Sequence, residues 1–276
     1  MKLPLGSLFW HEGGKPKAET IVFLHGSWHD STQWLPLLQR LGSQHHCLAP
    51  DLLGFGESSV ASTYSVALQV EALRSLLSAL RISHCRLVGH SLGAWVAGQY
   101  ALTYPEQVQG LAVMAPEGVT EAGLGGRWRR DRWLAAPWSP LPWVLPWLGK
   151  SAWAKELRDR RQCLHQHPAA CRTLFQRRSA AIEGELLQQR LGQLAVPTLI
   201  IDPTPADSTT QRLAQIWRQQ LSNPYAVPIA AANTPLGVEA ADLATALGQW
   251  IIPQAPQTTD HPGPSNQTSP PLGQLI

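Results

Sequence analysis

Gly89-His90-Ser91-Leu92-Gly93 is the stretch of this chain whose residue types and spacing point most directly to chemistry. A serine with glycines two positions before and two after can sit on a sharp strand-to-helix turn. The glycines let neighbouring backbone pass where a Cβ would clash. Such a turn holds the Ser91 hydroxyl clear of the strand ends, and the N–H of Leu92 points into the same space. A nucleophilic oxygen beside an oxyanion donor is the apparatus of acyl transfer, with Gly89, His90 and Gly93 as its frame. Such a serine also needs a base to take its proton and an acid to hold that base.

The elements that must position Ser91 are legible in the hydrophobic pattern. Short apolar runs at 20–26, 46–52, 84–91, 108–118, 196–201 and 223–230 read as strands. Between them, 31–41, 64–80, 92–104, 208–221 and 238–251 carry helical periodicity, with Ser31 as the expected N-cap of the first. In 64–80, Val66, Val70, Leu73, Leu77 and Leu80 fall on one face. Alternation of this kind builds an α/β fold, a doubly wound, mostly parallel sheet whose site lies at the carboxyl ends of the strands.

Two further segments join the serine motif. His25-Gly26-Ser27-Trp28 follows the first strand, and Asp51-Leu52-Leu53-Gly54-Phe55-Gly56-Glu57-Ser58 follows the second. With these in place the chain resembles the α/β-hydrolase fold family in its cap-containing, serine-hydrolase form. The resemblance is close from Thr20 to about Glu117 and looser from Val196 to Ile251. It implies that the N–H of Ser27, or else of Trp28, is the second oxyanion donor, and that His25 and Asp51 are structural. It also implies an acid after the strand that follows the cap, where Asp207 fits the spacing better than Asp202. Glu117, at the end of the preceding strand, is the geometric alternative.

The same resemblance calls for a histidine between the last strand and the last helix. That position falls on Asn233 or Thr234, and neither can act as a base near neutral pH. His261 lies in a proline-rich stretch, and His90 is expected to turn away from the pocket. His29, just past the oxyanion loop, is the candidate substitute base. Two readings therefore stand. One is a serine hydrolase with an incomplete triad, acting on an ester or related acyl bond of an apolar substrate. The other is a non-catalytic binding or membrane-surface accessory protein on the same fold.

Composition bounds the rest. The chain has 276 residues, 44% apolar and 15% charged, with a net charge of +3. That balance is too small to suggest a nucleic-acid partner. Residues 119–193 stand apart, with a local balance of +7 and six of the twelve tryptophans. The expected organisation is a first core part at 1–118, a helical Trp/Arg-rich cap at 119–193, a second core part at 194–252 and a disordered Pro-rich tail at 253–276. Tryptophan interleaved with arginine suits an apolar ligand beneath the cap and a peripheral membrane contact on its surface. Cys163, His167 and Cys171 recur at helical spacing but match no zinc pattern, so no metal or cofactor is expected. No signal peptide or spanning segment stands out, so a cytoplasmic location is expected.

Overall fold

The computed structural model describes residues 2–3, 6–59, 63–120, 126–137, 152–203, 206–222, 224–229 and 239–251. Asn233, Thr234, His261, Trp138, Trp143, Trp147 and the Pro-rich stretch lie outside them.

A seven-stranded sheet carries the fold, in the order β3-β5-β4-β6-β7-β8-β9. These strands are β3 (Trp10–Gly14), β4 (Thr20–Leu24), β5 (His46–Pro50), β6 (Cys85–His90), β7 (Val108–Met114), β8 (Thr198–Pro203) and β9 (Pro224–Ile229). Every pairing is parallel except that of β3 with β5 at one edge. A short hairpin, β1 (Lys2–Leu3) with β2 (Gly6–Ser7), precedes it. The mixed, mostly parallel sheet bears out the expected α/β fold.

Alternation along the strands divides the core in two. Val22 and Leu24 of β4 face one apolar cluster, while Ile21 and Phe23 face the other. The first cluster takes in α2 (Val66–Ala79), α3 (Leu92–Thr103) and α8 (Ser208–Gln220), through Val70, Leu73, Leu77, Val96, Tyr100, Leu213 and Trp217. The second takes in α1 (Leu35–Leu41) and α9 (Glu239–Ile251), through Leu37, Leu41, Leu243 and Leu247. Period-two strands between helices on both faces leave the strand ends as the place for loops with functional side chains.

The described elements between β7 and β8 are helical: α4 (Arg129–Ala135), α5 (Ala152–Gln166), α6 (Pro168–Cys171), a π-helical turn at Arg172–Gln176 and α7 (Ser179–Glu183). Asp131 of α4 is buried and takes a two-pronged ion pair from Arg160 of α5, at 3.1 and 2.6 Å. Such a fork fixes one helix against the other.

Ser31 does not cap the first helix. Asp30 does, accepting from the Thr32 N–H at 2.9 Å, because the Ser31 N–H is held by Asp51 Oδ1 at 2.7 Å and Ser31 is itself the first residue of a 3₁₀ turn.

Candidate active site

Ser91 stands between β6 and α3 with φ 51° and ψ −113°. Non-glycine residues at positive φ carry about 1–3 kcal/mol of strain and need over-determined surroundings. Those surroundings are present. The Ser91 N–H donates to the Met114 carbonyl of the neighbouring strand, and its own carbonyl accepts from Ala94 and Trp95 in the first turn of α3 and from Glu117. A Cβ on Gly93 would strike the Leu24 carbonyl, and one on Gly89 would lie 2.5 Å from the Ala94 Cα. Only glycine lets the turn be this tight.

The loop after β4 is built around a buried histidine. His25 is fully buried; its Nδ1 donates to the Gly26 carbonyl at 2.9 Å, and its Nε2 accepts from the Leu52 N–H at 3.0 Å. Burial pushes its pKa down, so it stays neutral in the tautomer these bonds require. Asp51 accepts from Ser31 and, through its other oxygen, from the Glu57 N–H at 2.8 Å. Both residues are loop architecture. Gln33 links the loop to the elbow, accepting from the Gly26 N–H at 3.0 Å and reaching His90 Nδ1 at 3.4 Å.

Beside Ser91 opens a cavity of about 410 Å³, whose wall includes Ser27, His29, Glu117, Arg127, Arg160 and Asp207. Ser27 Oγ lies 3.3 Å from Ser91 Oγ. Leu92 opens α3, so its N–H is among those a helix start leaves without an intrahelical partner. His29 is on the wall, and burial and then the neighbouring His167 push its pKa down, against a smaller upward pull from Asp30. His90 also contributes to this wall, its ring 6.0 Å from that of His29. It therefore does not turn away from the cavity side as expected, because the Gly26 backbone leaves room for it there.

The three carboxylates separate by environment. Asp207 is on the wall but exposed, and it caps α8: its Oδ1 accepts from Thr209 N at 2.9 Å and Thr210 N at 3.0 Å, its Oδ2 from the Thr210 hydroxyl at 2.7 Å. Burial would raise its pKa, but these bonds outweigh it and hold the carboxyl below its usual range. Asp202 is ion-paired to Arg218. Glu117 is buried on the wall and ion-paired to Arg127, with its backbone carbonyl held by the Trp217 indole N–H at 3.1 Å.

The segment between β7 and β8 supplies aromatic and cationic walls. The Arg160 guanidinium lies 4.4 Å over the Trp28 ring, and that of Arg127 4.6 Å over the Trp128 ring. Trp128 stacks on Phe175, with centroids 5.2 Å apart. Arg127 and Arg160 belong to the Trp/Arg-rich window, but only the fold shows which of its cations reach the serine. His167 turns its Nδ1 to the Cys163 carbonyl at 2.9 Å, with the Cys163 Sγ 3.9 Å away, and Cys171 turns its Sγ to the Leu164 carbonyl at 3.3 Å.

Comparison with known proteins agrees with this architecture: residues 21–252 match the alpha/beta hydrolase family. The chain belongs to that family. A candidate carbamate hydrolase, RutD, of Serratia proteamaculans is 30% identical over 216 residues, 76% of each chain. An uncharacterised protein of Mycobacterium tuberculosis is 40% identical over 102 residues, 37% of this chain but only 30% of its own length. Among solved structures, the enol-lactonase of Burkholderia xenovorans LB400 superposes with a TM-score of 0.66 at 17% identity, covering 88% of this chain and 95% of the other. At that identity the likeness speaks for the fold alone. No helix among the described residues is long and apolar enough to cross a membrane.

Proposed function

We propose that the chain is a serine hydrolase acting on an ester or related acyl bond of a substrate with an apolar part. The observation that carries this is the strained Ser91 elbow at a cavity whose wall also holds Ser27 and His29. A protein that merely binds has no need to keep a serine at this cost. Ser91 Oγ attacks the acyl carbon while the neutral His29 imidazole takes its proton. The carbonyl electrons move to oxygen, held by the N–H groups of Leu92 and Ser27. Collapse re-forms the carbonyl and breaks the bond to the leaving group, which takes the proton from His29. Water then releases the acyl group by the same route. Glu117 suits the acid's part better than Asp207, since it is buried on the same wall while Asp207 is spent on its cap.

Asn233 and Thr234 at the expected base position favour a second reading, a binding protein that has given up turnover. The two part on labelling by a fluorophosphonate read by intact-mass spectrometry. A hydrolase gains one adduct, absent from Ser91→Ala. A wild type that stays unlabelled at millimolar probe over hours supports the binder.

A further inference from the structure

A second, smaller chamber of about 140 Å³ adjoins the Ser91 cavity. The two share Arg127 and Trp128, and the apolar wall of the smaller one is Trp95, Val119, Leu174 and Ile182. Arg132 also lines it but is spent on the Phe175 carbonyl at 2.7 Å, and Glu183 stands at its exposed side. Its position follows from the chain. Trp95 lies four residues beyond Ser91, one helical turn along α3, so the chamber begins on the nucleophile's own helix. Glu117 lines the first space, and Gly118 and Val119 line the second. Gly118 makes that step at φ +91°, where a Cβ would lie 2.6 Å from Trp95.

The partition is one indole, Trp128, with the Arg127 guanidinium over its ring and the Phe175 ring stacked on it. Arg127 is in turn tied to Glu117 on the serine side. The Trp95 indole N–H is already spent on the Glu185 carbonyl at 2.9 Å. What that side chain offers the chamber is therefore apolar ring surface.

We infer that this chamber binds the unbranched aliphatic chain of the substrate, which runs from Ser91 past the Trp128 ring. The inference deepens the hydrolase reading by naming what the site holds, and it makes Trp128 and Ile182 determinants of chain length. A polar head suits the space where Ser91, Ser27 and His29 stand, and a narrow alkyl chain suits the Trp95, Leu174 and Ile182 side of the space behind Trp128.

The test is binding of neutral methyl ketones with ethyl, butyl, hexyl and octyl chains, followed by tryptophan fluorescence, with p-nitrophenyl ester turnover measured beside it. In the wild type each added methylene should tighten binding about fourfold until the chamber is full. Ile182→Trp should end the rise at a shorter chain, and Trp128→Ala, which joins the two spaces, at a longer one. Affinity that is flat along the series in the wild type overturns the inference. So does a profile left unchanged in both variants, with melting temperatures showing that they fold. If the ketones bind as expected but no ester turns over, the chamber stands and the hydrolase reading fails. If esters turn over and ketone affinity is flat, only the chamber fails.

Discussion

In the proposed reaction His29 takes the part of the base, and the Ser27 hydroxyl stands beside the nucleophile. The Ser27 hydroxyl touches Ser91 Oγ at 3.3 Å, a contact the sequence did not announce, because the loop was read there only for its backbone N–H. Ser27→Ala keeps that N–H and removes the hydroxyl. A neutral hydrogen bond is worth about 1 kcal/mol, so kcat/KM should fall about fivefold. No change would mean that the hydroxyl is a bystander. His29 acts as a base only when neutral, and burial holds its pKa below the ordinary value near 6.5. The active form therefore persists as pH falls through 6.5, and the acidic limb of kcat/KM should lie below that value. A limb at or above it would take the base role from His29.

At the scale of elements, the interior was the readable part. Strands β4 to β7 are continuous apolar runs ended by turns, and they stand where the pattern put them because burial on both faces leaves no other reading. The N-terminal strands were not legible: Trp-His-Glu-Gly-Gly in β3 has two glycines and no apolar alternation, and it is a strand because β5 offers it an edge. The elbow was legible through its glycines, whereas the carboxylate roles were not. Asp207 and Glu117 are told apart by a helix cap and an arginine, both of which depend on the fold. Glycine positions test this level directly. Gly93→Ala drives a methyl into the Leu24 and His25 carbonyls and should cost about 1–3 kcal/mol, several degrees of Tm. Gly248→Ala, with nothing within 4 Å of its Cβ in α9, should instead gain about 0.5–1 kcal/mol. Equal melting temperatures for the two variants would contradict the packing described for the elbow.

Over the whole molecule, positive charge and tryptophan gather in residues 119–193. Trp133 of α4 and Trp153 of α5 are exposed by 39% and 57%. They flank the ion pair of Arg130 with Glu156, each three residues from its member of the pair, so they share one face. The segment 119–193 carries a balance of +7, and we propose that it meets an anionic bilayer surface through these tryptophans. In flotation, the protein should rise with phosphatidylglycerol vesicles and stay down with phosphatidylcholine. A Trp133→Ala/Trp153→Ala variant should lose most of the effect. Equal flotation of that variant would remove the cap face from any membrane role.

The proposed reaction needs Ser91 to be a working nucleophile without a histidine at the usual place. The direct measurement is hydrolysis of p-nitrophenyl acetate, butyrate, hexanoate and octanoate by the wild type and by Ser91→Ala. Turnover in the wild type should rise with chain length and fall to background in the variant. Background rates in both proteins would contradict the proposed reaction, and the elbow would then be a frame for binding alone.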